Sequence, residues 1–274
     1  MKEYQNCEIV VGVSGGKDST AVCLNLIEQG YSPDQFKRVF ANTGWEDAST
    51  YEYLKQLEEY IGEITFIEEQ VEIIEEHKET ILMIEEKLGF KSPFVRSVFK
   101  NRCFPNGFIK WCTRTLKIQP FIQYFDQLES EPINLVGIRK EESKRRSKME
   151  EWEFNNNFNC WTHRPILNWS FEDIVAIHKR HNLTPNNLYL NGFDRVGCFP
   201  CIYSNKSELN KLTEERIEII KIIEESIGGF MFNPKNGQGI EQIIQWSNTS
   251  RGGKQFFLFD SKPPTCEKWG LCGI

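Results

Sequence analysis

The stretch "VGVSGGKDSTAVCLNLIEQG", residues 11–30, decides the fold. Its opening belongs to an apolar run, "CEIVVGV" (7–13), whose unbroken hydrophobicity predicts a strand buried on both faces. Ser14-Gly15-Gly16 interrupts that run. "STAVCLNLIEQG" then carries apolar residues at helical spacing and stops at Gly30. A helix that starts directly after such a turn offers free N–H groups and the positive end of its dipole to an anion. Gly15 and Gly16 are expected to take positive φ and let the main chain approach a ligand closely. Ser14, Ser19 and Thr20 add hydroxyls, and Lys17 is placed to neutralise a phosphate. A carboxylate beside phosphates repels them, so Asp18 is expected either to help hold a divalent cation or to cap the helix. Two familiar phosphate loops do not fit. A Walker loop requires Ser or Thr after Gly-Lys, where this chain has Asp18, and the dinucleotide G-x-G-x-x-G is absent from the turn.

Outward from this turn the pattern repeats. "FKRVFAN" (36–42) reads as a second strand, "DASTYEYLKQLEEYIG" (47–62) as a second helix capped by Asp47 or Ser49, and "EITFIE" as a short third strand. Residues 69–88 read as a charged helix, 89–120 as a structured, Cys-bearing loop region, and "PINLVGI" (132–138) as a later strand. Strand–helix alternation predicts an α/β, doubly wound, mostly parallel sheet. Ligands of such sheets sit at the C-terminal ends of the strands, where Ser14–Asp18, Asn42–Gly44 and Gly137–Arg139 all fall. Past about residue 160 two amphipathic helices, 168–183 and 213–228, flank a Cys-containing loop. The expected division is residues 1–160 as the nucleotide-binding domain and 161–274 as a smaller helical lobe packed on it. His178 and His181 fall near the end of the first of those helices, where its dipole favours a charged imidazole.

The 274 residues are 39% hydrophobic and 26% charged, ordinary values for a globular chain. No apolar run reaches the roughly 20 residues of a membrane span, and nothing near the start reads as a signal peptide, so a cytoplasmic protein with no membrane partner is expected. The net charge of −6 excludes a uniformly basic surface but not a local one. "GIRKEESKRRSK" concentrates Arg139, Lys140, Lys144, Arg145, Arg146 and Lys148.

Nine cysteines are many where disulfides are disfavoured, which points to metal. "RVGCFPC" sets Cys198 and Cys201 in a C-x-x-C, and Cys112 lies in "KWCTRTLKIQP". These three are the expected ligands, with Cys272, or alternatively Cys266, as the fourth. Four thiolates suit tetrahedral zinc or a [4Fe–4S] cluster, and spacing does not separate the two.

"SGGKDST" resembles the signature of the PP-loop ATP pyrophosphatases, adenine nucleotide alpha hydrolase-like enzymes that cleave ATP between the α- and β-phosphates and adenylate a substrate. "NTGWE" (42–46) resembles the family's second motif, with Asn42 in place of the usual Asp. "WCTRTLKIQP", "GIRKEESKRR" and "GFDRVGCFPC" are similar to the phosphoadenosine phosphosulfate (PAPS) reductase superfamily, and within it to the DndC/SspD branch implicated in DNA phosphorothioation. That resemblance implies a [4Fe–4S] cluster rather than zinc, and sulfur chemistry. It also implies adenosine contacts at Asn42, Thr43 and Gly44. Two departures stand out. Thr113 follows Cys112 where the assimilatory cluster-bearing reductases carry a second Cys, and the chain ends "LCGI" in place of the reductases' E-C-G-I-H nucleophile motif.

The expected reaction is therefore adenylation. ATP and Mg²⁺ would bind Ser14, Gly15, Gly16, Lys17, Asp18, Ser19 and Thr20, with Asn42, Thr43, Gly44 and Gly137 completing the nucleotide contacts. Lys17, Asp18 and Arg139 would act on the phosphates. An acceptor oxygen on a nucleic acid, held by the basic run at 139–148, would displace pyrophosphate, and sulfur from a cysteine desulfurase-like partner would then displace AMP. The alternative is a sulfonucleotide reductase that releases sulfite from PAPS or its unphosphorylated analogue through Cys272. A third reading is a nucleotide-gated binding protein with a structural metal.

Overall fold

The computed structural model describes Tyr4, residues 7–232, residues 238–249 and Trp269. A six-stranded sheet carries β1 (Glu8–Val13), β2 (Phe36–Ala41), β3 (Ile64–Ile67), β4 (Pro132–Leu135), β5 (Trp152–Asn155) and β6 (Cys160–His163). Its order is β3-β2-β1-β4-β6-β5. All pairings are parallel except β5 with β6. β1 is central, as its unbroken apolar run requires: Val11 faces Arg38 of β2 on one side and Leu135 of β4 on the other.

Helices cover both faces. α1 (Lys17–Glu28), α2 (Ala48–Ile61) and, later in the chain, α7 (Phe171–Arg180) share one apolar core with β1 and β2. The opposite face is closed by a smaller group, Val10, Val39, Phe125 and Cys160, against Phe121 and Tyr124. α2 opens as the sequence indicates, with the Asp47 carboxylate accepting the Ser49 amide at 2.9 Å.

Three stretches differ from their sequence reading. Within 69–88 only α3 (Lys78–Leu88) is an α-helix, preceded by a 3₁₀ turn at Glu75–His77. The region 89–120 is not loop: it holds α4 (Pro93–Asn101) and the start of a longer helix. Ser92 caps α4 by accepting the Val95 amide at 3.1 Å, with Pro93 at the first helical position, where its missing N–H costs nothing. The longer helix runs as α5 (Trp111–Thr113), a π-helical turn (Arg114–Ile118) and α6 (Gln119–Phe125). The third difference is the hairpin of β5 and β6, closed by an Asn-rich turn in which Asn159 takes φ +48°.

The remaining helices are α8 (Asn187–Leu190), α9 (Lys206–Leu209), α10 (Glu214–Ile227) and α11 (Ile240–Ser247). α10 and α11 do not form a core from their own half of the chain. They share one with α3 and α4, through Ile81, Ile84, Val95, Val98, Ile219, Ile220, Ile223 and Ile240. The expected division at 160/161 also falls inside β6, which is paired to β4. Among the described residues no helix is long and apolar enough to cross a membrane.

Candidate nucleotide site

The turn after β1 has the expected strand–glycine–helix geometry, with changes in detail. Gly15 takes φ +68°, and a Cβ there would lie 2.9 Å from Thr50 of α2. Gly16 has φ −93°, so only the first of the two glycines uses the left-handed region. Gly16 is the N-cap of α1 and no side chain caps the helix, which removes that role from Asp18. The Ser19 and Thr20 hydroxyls donate to the Gly16 carbonyl at 3.1 and 3.0 Å, so they brace the turn. Ser19 Oγ also accepts the Ser14 amide at 3.2 Å. The Lys17 amide donates to the Tyr189 hydroxyl at 3.2 Å. Among the described residues the Gly16, Asp18 and Ser19 amides have no backbone partner.

Gly137 faces this first turn. A Cβ there would come within 2.6 Å of the Asp18 carbonyl and 2.7 Å of the Ser19 amide nitrogen. The segment after β4 therefore packs directly on the start of α1, and it delivers Arg139. Arg139 is buried, and its Nε donates to Asp18 Oδ1 at 2.6 Å. Its Nη1 pairs with Glu141. Lys17 Nζ sits 3.2 Å from Asp18 Oδ2 and over the Tyr189 ring. Burial disfavours the Lys17 charge, but Tyr189 and Asp18 outweigh it and raise its pKa.

These groups line a cavity of about 640 Å³. Five cations border it: Lys17, Lys117, Arg139, Arg146 and Arg195. Arg146 is paired with Glu142, whereas Lys117 and Arg195 make no ion pair among the described residues. A second cavity of about 270 Å³ is more apolar. It runs over the C-terminal ends of β1, β2 and β4, between Phe40, Phe121 and Phe158, with Ala41 and Glu46 on its wall. The two share Gly12, Ser14, Lys117 and Val136. Gly15, Thr20, Asn42, Thr43 and Gly44 line neither; Thr43 and Asn42 act behind the site. Thr43 Oγ1 donates to Glu46 Oε1 at 2.7 Å, and Asn42 Oδ1 accepts the Gly44 amide at 3.1 Å.

A third pocket holds Cys198 and Cys201 and also reaches Lys117. Its loop is tied to the second motif. The Phe199 amide donates to the Trp45 carbonyl at 2.7 Å, Trp45 Nε1 donates to the Pro200 carbonyl at 3.1 Å, and Glu46 bridges to Cys198. Lys117, on the π-helical turn, is the junction of all three pockets. Cys198 does most to raise its pKa, against burial, with Glu46, Cys201 and Cys112 adding to the effect. Burial pushes the Cys198 thiol up to about 11, despite Lys117. Burial likewise raises Cys112. The seven described cysteines are all free thiols. Trp111 Nε1, next to Cys112 in the chain, is buried without a partner among the described residues. No three or more His, Cys, Asp or Glu side chains among the described residues are gathered closely enough to hold a metal. Cys266 and Cys272 lie outside the described residues.

The sequence does not single out Lys117, because its partners come from distant segments of the chain. Its place about one helical turn beyond Cys112 is the available signal. Of the helix-end histidines, His178 is fully buried, its Nδ1–H donates to the Ile174 carbonyl at 2.7 Å, and burial holds it neutral at a pKa of about 4. It is therefore not a dipole-stabilised cation. His181 contacts Glu28 at 3.2 Å.

The fold and this cradle define an α/β nucleotide-binding enzyme of the PP-loop kind. A phosphoadenosine phosphosulfate reductase domain matches residues 8–204, and the chain belongs to that family. A protein of Escherichia phage 186, described as an uncharacterized 37.8 kDa protein, is 30% identical over 91% of this chain and 90% of its own length. An adenosine 5′-phosphosulfate reductase of Bacillus cereus is 26% identical over 73% of this chain and 75% of that protein. The crystal structure of a PAPS reductase from Candida auris, in complex with phosphate, superposes with a TM-score of 0.51 at 15% identity, over 73% of this chain and 84% of that one.

Proposed function

We propose that this protein is an ATP pyrophosphatase that adenylates an acceptor for sulfur incorporation. The observation that carries the reading is the five-cation cavity at the start of α1, continuous with an apolar slot. Set against Asp18, Glu142 and Asp194 on the same wall, the cations leave a positive balance that suits a polyphosphate, and the slot's phenylalanines suit a purine. An acceptor oxygen attacks the α-phosphate, the bond to the β-phosphate oxygen breaks, and pyrophosphate leaves; Mg²⁺ bound with the nucleotide would neutralise part of its charge. The Gly16, Asp18 and Ser19 amides and Lys17 hold the phosphates, and Arg139, oriented by Asp18, meets the developing charge. A sulfur nucleophile from a donor protein then displaces AMP. The acceptor is a nucleic acid, whose backbone meets Lys140, Lys144, Arg145 and Lys148, all exposed beside Arg146 at the cavity wall. Cys112, Cys198 and Cys201 are the proposed metal ligands, with Cys272 or Cys266 completing the set. A cluster held there would supply a site for sulfur.

The second reading is a sulfonucleotide reductase, favoured by the adenosine 5′-phosphosulfate reductases among the relatives. One experiment separates them. Incubation with ATP should give AMP and pyrophosphate, whereas incubation with PAPS or adenosine 5′-phosphosulfate should give no sulfite. Sulfite without pyrophosphate would reverse the assignment.

A further inference from the structure

The segment from Gly89 to Phe125 contains seven Lys and Arg and no Asp or Glu, in a chain of net charge −6. Two of those cations are taken up by carboxylates of the preceding segment: Arg96 by Glu85 at 2.7 Å and Arg102 by Glu76 at 2.5 Å. Lys100, Lys110 and Arg114 are exposed and form no ion pair among the described residues. This segment thus keeps exposed cations that the chain's own carboxylates do not neutralise.

The same segment also displays an aromatic ring. Asn106 Oδ1 accepts the amides of Phe108 and Ile109, each at 2.9 Å, and the Asn106 amide donates to the Ile109 carbonyl at 3.0 Å. The turn is closed from both sides, and it holds Phe108 out with 90% of its surface exposed. Next along the chain, Lys110 Nζ lies 5.3 Å from the centre of the exposed Tyr203 ring. Tyr203 in turn lines the pocket of Cys198, Cys201 and Lys117. A preformed aromatic tip, a cation resting on a second aromatic, and further unpaired cations therefore lead to the rim of the thiol pocket.

We propose that this face is a docking surface for a single-stranded nucleic acid, resting on the nucleic-acid acceptor reading above. Rings at Phe108 and Tyr203 stack on unpaired bases, and Lys100, Lys110 and Arg114 neutralise the phosphates between them. A duplex keeps its base faces covered and reaches only the cations. An acidic protein would use the same cations but would have no salt-independent dependence on Phe108.

The test is fluorescence anisotropy with a labelled single-stranded oligonucleotide of mixed sequence, as DNA and as RNA, and with its duplex, at several salt concentrations. Phe108→Ala is expected to weaken single-strand binding by about fivefold or more with the salt slope unchanged. Lys110→Glu is expected to weaken it and to reduce the salt slope by about 0.7 for each phosphate the surface no longer neutralises. Both side chains are exposed, so both variants should melt with the wild type. The DNA and RNA arms identify which strand is bound. Single-strand affinity that neither substitution changes, or no saturable binding at all, overturns the proposal and leaves the face to a protein partner. An ATP titration on the same wild-type protein reports the nucleotide reading separately, since oligonucleotide binding abolished by Phe108→Ala would stand even where ATP failed to bind.

Discussion

Arg139 Nε donates to Asp18 Oδ1 at 2.6 Å, joining two residues 121 positions apart at the first turn of α1. Asp18 is thereby an orienting group for a buried cation. Asp18→Asn keeps an acceptor of the same shape but drops the charge. It is expected to fold and to lose about a hundredfold or more in pyrophosphate release. Asp18→Ala should in addition cost about 1–3 kcal/mol in stability, because it strips a partner from a buried guanidinium. Calorimetry and a pyrophosphate assay read both. Normal turnover in Asp18→Asn would remove the pair from the reaction.

Gly137 sets the cradle's shape. A Cβ there meets the backbone of Asp18 and Ser19 at 2.6–2.7 Å, and backbone does not yield as a side-chain tip does. Gly137→Ala is expected to weaken ATP binding by about tenfold or more and to cost about 1–3 kcal/mol of stability. Equilibrium dialysis with labelled ATP checks the first effect. Wild-type affinity would show that the segment after β4 does not form the cavity wall.

His178 makes the fold acid-sensitive in a defined window. Its pKa is about 4 in the folded protein against an ordinary value of 6.5, chiefly through burial. Below the ordinary value the unfolded chain binds a proton that the native protein refuses, so stability falls as pH drops. The loss develops between about pH 6.5 and pH 4 and amounts to ~3 kcal/mol. Denaturant melts across that range should show it, and His178→Leu should flatten the pH dependence even if its stability at neutral pH differs. An unchanged slope in that variant would assign the acid sensitivity elsewhere.

The two parts of the architecture differ in how far the sequence discloses them. The run "EIVVGV" and the glycine turn identify β1 and the start of α1 because strand, turn and cap are set by neighbours in the chain. The helix holding Lys117 is hidden because "WCTRTLKIQP" carries Thr and Pro and no clean apolar stripe; its partners, Cys198, Cys201 and Glu46, come from other segments. The β5–β6 hairpin has a signal, since "WEFN" and "CWTH" flank an Asn-rich turn. Its exposed Trp152, Phe154 and Trp161 blur the alternation of buried and exposed positions. Asp18 and Arg139 are both legible as site residues, but their pairing is not, because Arg139 is buried inside a basic run and reaches Asp18 from 121 positions away.

The proposed ligand set Cys112, Cys198 and Cys201 is tested by metal content. Protein prepared without oxygen is expected to be brown and to contain iron and inorganic sulfide. Cys198→Ser should lower that content sharply, while Cys103→Ser, outside the pocket, should not. Elemental analysis decides. A colourless preparation with stoichiometric zinc would contradict the cluster.

The most direct test is a crystal structure with ATP and magnesium. The β- and γ-phosphates should rest on the Gly16, Asp18 and Ser19 amides beside Lys17, with the purine between Phe40, Phe121 and Phe158. Phosphates lying elsewhere while the start of α1 stays vacant would contradict the account.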